Sequence, residues 1–347
     1  MAAKGITVAV TGPTGEIGIA FIRALEATPE VVEIRGMARR PFDPASQGWS
    51  KTRYVQGDVL DREAVDRFVD GADVVVHLAF IIFGSHDESR RVNIEGSRNV
   101  FEATAAARAK RLVYTSSVAA YGFHAENPQP LTEDVPPRGT EDFYYSSQKA
   151  ELEGVLAESL QGSDLPAYVF RPSIVGGPNS LILITNLPYI HATAGLPGPL
   201  RTLVEGLPLP APVVFDPGVS MQLVHADDVA DALLAGVLGK GEPGIYNLAA
   251  AGEITMADVA AELGWHSVPV PNLATAATAE LVKRAPGMPA EAEWIAVSRI
   301  AVLMSTEKAR SGLGWEPRYD TVETLRQTVV GAKAQGLVTG SGRVSQS

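Results

Sequence analysis

Short apolar runs rich in β-branched residues recur through the first half of the chain, each followed by a stretch with helical spacing, and few folds accommodate that order. ITVAVTG (Ile6–Gly12) precedes a helix over Ile17–Ala27, and VVEIRGMA and RYVQGD lead to a helix over Arg62–Val69. DVVVHLAF precedes a long helix over Arg90–Arg108, and RLVYTSS, a helix over Tyr145–Ser159 and the strand AYVFRPSIV complete the series. Strands apolar along their whole length must be covered on both faces, which is the condition of a parallel sheet with helices on either side. The expected fold class is α/β, a doubly wound parallel sheet.

After Gly177 the pattern loosens into stretches such as LPGPL and LPLPAPVVFDPG, which leave the regular repeat. The expected division is a dinucleotide-binding Rossmann domain over residues 1–177, rejoined by segments around 215–250, and a smaller C-terminal, mainly substrate-binding α/β region over 178–335. A small, polar, flexible tail covers 336–347. Helices are expected over Asp227–Leu238, Met256–Leu263 and Thr321–Ala334, and the Pro- and Leu-rich segment Leu181–Val214 predicts a mainly apolar pocket.

A formal net charge of −11 gives a long-range field that repels polyanions, so neither nucleic acid nor an anionic membrane is an expected partner. A small anionic cofactor stays compatible with it, because local amides and a few arginines overcome a distant charge. The chain has no cysteine, which removes disulfides, thiolate nucleophiles and Cys-ligated zinc; no metal site is expected. The opening MAAKGITVAVTG runs straight into a strand pattern, and the apolar run Asp73–Phe83 falls short of the roughly 20 residues a membrane span needs. A cytoplasmic protein is the expectation.

Between the first strand and first helix lies TGPTGEIG, with Gly12, Gly15 and Gly18 three residues apart. In a dinucleotide site the first glycine makes the tight turn, the second lets a pyrophosphate approach the backbone and the third lets the helix pack on the strand. The helix start then offers free amides and a positive dipole end. Gly12, Thr14, Gly15, Glu16, Ile17 and Gly18 are thus candidate cofactor contacts, as are Leu78 and Ala79 at the end of the DVVVHLA strand. Three glycines in an ordinary βα turn look the same; their place after the first strand favours the phosphate reading. The second strand ends in Met37, Ala38, Arg39 and Arg40 without a carboxylate, which favours NADP over NAD, although the arginines also read as a solvated strand end and Glu33 as a misregistered acid. Asp58, with Val59 beside it, is placed to accept from the adenine amino group or else to cap the next helix.

Tyr145 and Lys149 stand four apart in YYSSQK, so both project from one helix face. A phenol is a poor base near neutrality, and an ammonium beside it stabilises the phenolate. The spacing alone is uninformative; its context is VYTSSVAAYG, where hydroxyls follow a strand at the edge on which parallel sheets bind ligands. Ser117 could hold a substrate oxygen there, or simply cap the following turn.

At these residues the chain resembles the extended short-chain dehydrogenase/reductase family, the NAD(P)-dependent epimerases, dehydratases and ketone or hydroxysteroid reductases. The resemblance rests on TGPTGEIG, HLA at His77–Ala79, NIEGSRNV from Asn93, VYTSSVAAYG, YSSQK from Tyr145, RPSIVGGP from Arg171 and LVHADDVADA from Leu223, in order across residues 5–250, with GWEPRYDTVETLRQTV weaker. It implies that Tyr145 moves the substrate hydroxyl proton as hydride passes to or from nicotinamide, while Lys149 binds the ribose and lowers the tyrosine pKa. Ser117 would orient the substrate oxygen, Asn93 would hold a relay water and Pro172–Ile174 would meet the carboxamide; Asn93 also reads as a helix cap and Arg171 as structural. A homodimer through the helices of Asn93 and Tyr145 is implied as well.

Three functions remain: an oxidoreductase acting on a free ketone or secondary alcohol, an epimerase acting on a sugar nucleotide or related carbohydrate, and a non-catalytic dinucleotide sensor. Keeping Ser117, Tyr145 and Lys149 together argues against a sensor. The family's dehydratases resemble one another in an acidic pair after the serine, where this chain has Val118 and Ala119. Its sugar-nucleotide epimerases carry an arginine where this chain has Ser220, Met221 and Gln222. Without that cation a diphosphate loses a charge-assisted contact, so a small neutral substrate is expected.

Overall fold

The apolar runs pair as seven parallel strands: β1 (Ile6–Thr11), β2 (Val31–Ala38), β3 (Thr52–Gln56), β4 (Val74–His77), β5 (Arg111–Thr115), β6 (Ala167–Pro172) and β7 (Gly244–Leu248). Their order in the sheet is β7-β6-β5-β4-β1-β2-β3. The computed structural model describes residues 5–82, 86–187, 189–190, 211–270 and 299–338. These fall into two units, the first built from Met1–Ser173, Ala226–Ala249 and Met304–Glu316, the second from Ile174–His225, Ala250–Leu303 and Pro317–Ser347. The expected apolar-pocket residues 191–210 and tail residues 339–347 lie outside the described residues.

In the first unit the chain steps outward from β1 to β2 and β3, then returns to the other side of β1 with β4. The strand order reverses between β1 and β4, and the carboxyl ends of such strands flank a ligand crevice. Thr11 and His77 face each other in register there. The strands are apolar throughout because both faces are covered: Val74, Val75 and Val76 of β4 have no exposure, each burial contributing about 1.5–3 kcal/mol. The covering helices are α1 (Glu16–Ala27), α2 (Arg62–Val69), α3 (His86–Arg90), α4 (Gly96–Ala106), α5 (Tyr144–Ser159), α6 (Ala226–Leu238) and α7 (Glu307–Leu313). α1 turns Phe21, Ile22 and Leu25 inward, and α2 starts where the Asp61 side chain accepts from the Ala64 amide at 3.0 Å.

Two expectations change in detail. The single helix expected over Arg90–Arg108 is broken by a π turn at Arg91–Glu95 between α3 and α4. The widened turn lets Asn93 face inward with no exposure, where its amide group pairs with the Ile81 backbone. The strand expected from AYVFRPSIV splits in two. β6 ends at Pro172, the Ser173 amide makes one last bond to Leu248 O at 2.8 Å, and Ile174–Gly176 forms a separate strand in the second unit.

In the second unit Ile174–Gly176 pairs in parallel with Leu223–His225, and Val213–Asp216 with His266–Pro269. Helices Met256–Leu263 and Thr321–Ala334 have the expected bounds. The first is fixed by a capping box between Thr255 and Asp258. Ile184, Leu223, Ile254, Val259, Leu325 and Val329 form its own core.

Candidate active site

The three glycines of the first turn differ in what surrounds them. Gly12 has φ +74°, and a Cβ there would lie 2.8 Å from the Ala79 amide nitrogen, so the turn itself demands glycine. A Cβ on Gly18 would lie 2.3 Å from Gly12 O and 2.6 Å from the Pro13 carbonyl carbon, so α1 is packed hard onto the turn. Gly15 is exposed, extended (φ −78°) and would meet only Gly12 O, at 3.6 Å. Nothing among the described residues requires glycine there, as expected where a ligand approaches the backbone. Gly15 begins α1 without a side-chain cap bond, as suits a helix start that faces an anion. Thr14 is half-buried in the turn. Leu78 and Ala79 close its other side, with the Leu78 amide bonded to Thr11 O at 3.1 Å.

At the tip of β2, Arg39 and Asp58 share a pocket of about 410 Å³ with Asp87, Glu88 and Arg91. Arg39 Nη1 lies 3.8 Å from Glu88 Oε1, both side chains largely exposed, while Arg40 offers its carbonyl to the Tyr54 hydroxyl. Glu33 stands opposite Thr7 in mid-strand, paired with Arg35 at 3.3 Å, and is not the acid of the strand tip. Asp58 does not cap α2, which Asp61 does; its Oδ1 accepts from the Leu60 amide at 3.0 Å. Val59 is buried beneath α4, where a Cβ on Gly96 would lie 2.4 Å from its Cγ2.

α5 and the end of β5 bring Ser117, Tyr145 and Lys149 together. The Tyr145 hydroxyl is hydrogen-bonded to Ser117, which lowers its pKa against a larger rise caused by burial. Ser117 also accepts from the Ala119 amide at 3.2 Å, so it caps the next turn as well. Lys149 is 4% exposed; its Nζ donates to Thr115 O at 3.1 Å and sits 3.9 Å from the centre of the Phe80 ring. Burial pushes its pKa down to about 7, with the Glu153 carboxylate opposing. Phe80 also meets Tyr145 edge-on at 5.6 Å.

Asn93 reaches the same neighbourhood, but its side chain is engaged with protein: Oδ1 accepts from the Ile81 amide at 2.8 Å, and Nδ2 donates to Ile81 O at 2.9 Å and Gln148 Oε1 at 2.8 Å. That arrangement ties α5 to the segment after β4. Pro172 closes β6, whereas Ile174 belongs to the second unit. Arg171 is fully buried against Glu153. Phe80, Gln148 and Glu153 escaped the sequence reading. Phe80 merely continues the run DVVVHLAF, and helical spacing does not distinguish Glu153 from the solvated acids of α5.

The hydroxyls of Thr115 and Ser173 are buried without a hydrogen-bond partner among the described residues. They lie at the ends of β5 and β6, where a dinucleotide could use them; with the open backbone at Gly15, the residues present fit such a cofactor. Among the described residues no group of three or more His, Asp and Glu could hold a metal ion, and no helix is long and apolar enough to cross a membrane.

Residues 8–249 match the family described as NAD dependent epimerase/dehydratase. An uncharacterized protein, y4nG, of Sinorhizobium fredii is 28% identical over 97% of this chain and 81% of its own length. The 2-alkyl-3-oxoalkanoate reductase of Shewanella oneidensis is 31% identical over 53% of this chain, a match spanning about half (48%) of the reductase. Among solved structures, the Bordetella bronchiseptica enzyme WbmG in complex with NAD superposes with a TM-score of 0.70 over 97% of both chains at 20% identity, a likeness of fold.

Proposed function

The chain belongs to the NAD dependent epimerase/dehydratase family, the extended short-chain dehydrogenase/reductases, and is an NAD(P)-dependent oxidoreductase of that family; from that premise we propose that it interconverts a neutral ketone and its secondary alcohol, with Tyr145 as the proton-transferring group. The observation that carries this reading is the Tyr145–Ser117 hydrogen bond one helical turn from the buried Lys149.

When bound, the nicotinamide supplies the hydride donor or acceptor. Ser117 donates to the substrate oxygen and fixes its direction. Tyr145 protonates that oxygen during reduction and removes its proton during oxidation. Burial resists phenolate formation, so the Lys149 ammonium is needed to offset it. Gly12, Gly15 and the start of α1 would hold the pyrophosphate, Asp58 the adenine and Pro172 the carboxamide end.

Arg39 and Arg91 beside the pocket at the β2 tip support NADP as the preferred dinucleotide, since a 2′-phosphate wants a cation there. Ser220, Met221 and Gln222, in place of a diphosphate-clamping arginine, support a neutral substrate, and the partial likeness to an oxoalkanoate reductase supports reduction of a ketone. We take the second unit as the substrate-binding side and the assembly as a homodimer, which light scattering tests; a monomer at high concentration contradicts it.

Ketones, secondary alcohols and sugar nucleotides assayed by NADPH and NADH absorbance, with product stereochemistry, test the reaction. Net cofactor turnover on ketones or alcohols is expected. Inversion without turnover makes the protein an epimerase, and cofactor binding with neither makes it a sensor.

A further inference from the structure

Beneath Lys149 lies a buried polar cluster that the proposed chemistry does not use. Glu153 stands one turn further along α5; its Oε1 accepts from Ser116 Oγ at 2.6 Å and from Arg171 Nε at 2.9 Å, and its Oε2 accepts from Arg171 Nη2. Arg171 has no exposure, lies 4.3 Å over the Tyr121 ring and donates to Val135 O at 3.4 Å. Tyr121 in turn donates to Asn247 Oδ1 at 2.7 Å. A buried pair of this kind is a weak source of stability, because desolvation offsets most of the Coulomb gain and an apolar replacement is often as stable.

Lys149 is the neighbour that benefits. Its ammonium donates to the Thr115 carbonyl and lies over the Phe80 ring, and the Glu153 carboxylate is what opposes its loss of a proton on burial. The other titratable groups around it do not share that role. His77 from β4 is itself held neutral by burial, with a pKa of about 3. Tyr114 from β5, 5.6 Å from Nζ to ring centre, is driven further from ionisation by burial. Tyr145 lies on the same helix, and Tyr121 and Arg171 stand beyond Glu153.

We propose that Glu153, clamped by Ser116 and Arg171, is a positioning residue for Lys149, holding a fixed negative charge near the ammonium so that a larger share of it remains protonated while Tyr145 works. The Ser116 bond extends the effect: one carboxylate fixes both the strand end that carries Ser117 and the helix that carries Tyr145 and Lys149. The inference rests on the reading of Tyr145 and Lys149 given above.

The test is an NMR titration of cofactor-free protein with 13C-labelled lysine, the Lys149 signal assigned through Lys149→Arg. In Glu153→Gln the Lys149 midpoint falls by about one pH unit or more, tenfold in its protonation equilibrium, and the pH optimum of kcat/KM moves down with it. Glu153→Asp, which keeps the charge, restores most of the shift. Should Glu153→Gln fail to fold with Arg171 left unpaired, Glu153→Gln/Arg171→Met provides the folded variant. A Lys149 midpoint unmoved in a folded variant overturns the proposal. Undiminished turnover in Tyr145→Phe would instead overturn the reaction assignment while leaving the lysine titration intact, so the two failures are distinguishable.

Discussion

Alanine at Gly15 and alanine at Gly18 are predicted to have opposite effects, although both residues belong to one turn. At Gly15 the new methyl meets only Gly12 O at 3.6 Å, and φ −78° suits any residue. Alanine caps a helix less well than glycine, costing ~0.5–1 kcal/mol, but it restricts the unfolded chain by a similar ~0.4–1 kcal/mol. The net change is about 0.5 kcal/mol or less, moving Tm by about 2 °C at most. At Gly18 the methyl stands 2.3 Å from a backbone oxygen and 2.6 Å from a backbone carbon. That is about 1 Å inside ordinary contact, and the backbone cannot swing away, so the loss is about 3 kcal/mol and Tm falls by about 6–12 °C. The order reverses for dinucleotide binding relative to stability. The Gly15 methyl keeps a pyrophosphate from the helix-start amides, losing at least one charge-assisted bond of ~1.5–3 kcal/mol, which weakens Kd by about tenfold to a hundredfold. Thermal unfolding together with NADPH fluorescence titration measures both effects. Gly15→Ala that melts early yet binds normally would refute the assignment of the turn.

Tyr145→Phe is expected to keep NADPH affinity and to lose about 10²–10⁴-fold in kcat, read by titration and steady-state kinetics. Arg39→Ala should weaken NADPH by about tenfold and leave NADH unchanged, whereas Glu88→Gln, which removes the carboxylate 3.8 Å from Arg39, should strengthen NADPH; equal changes for both cofactors would exclude 2′-phosphate recognition at this pocket. For Lys149 the folded pKa of about 7 lies below the usual 10.5, so between those values the unfolded chain binds the extra proton and stability from this group rises with pH. Tm across that window should therefore climb more steeply in the wild type than in Lys149→Met. Asn93→Ala leaves the Ile81 amide and carbonyl and the Gln148 carbonyl short of a partner, a loss of about 1–3 kcal/mol by denaturant unfolding.

What the amino-acid order reveals here is mostly local. The glycine turn, the limits of α2 and of the helix Met256–Leu263, and the pairing of Tyr145 with Lys149 on one face depend on neighbours within a turn or two, and periodicity and capping residues report these. The parallel sense of the strands follows from the alternation of elements, because parallel strands need covered crossovers, whereas their order depends on contacts between distant elements. The π turn at Arg91–Glu95 was illegible because its cause is distant: Asn93 turns inward for the backbone of Ile81. The break after Pro172 was hidden since RPSIV reads as one extended run, yet its halves pair with Gly244–Leu248 and with Leu223–His225. Phe80 over Lys149 and Arg171 against Glu153 join residues on separate elements, and no spacing in one sequence encodes such pairs. The second unit's strands at Val213–Asp216 and His266–Pro269 are largely exposed and lack the apolar runs that marked the main sheet.

The measurement closest to the central claim is isotope transfer from NADPH deuterated at the reactive carbon to a ketone panel, comparing the wild type with Tyr145→Phe. Deuterium on the product carbinol, one label per cofactor oxidised and none with Tyr145→Phe, is the predicted result. Label appearing equally with the phenol removed, or a substrate inverted with the cofactor returned unchanged, would contradict it.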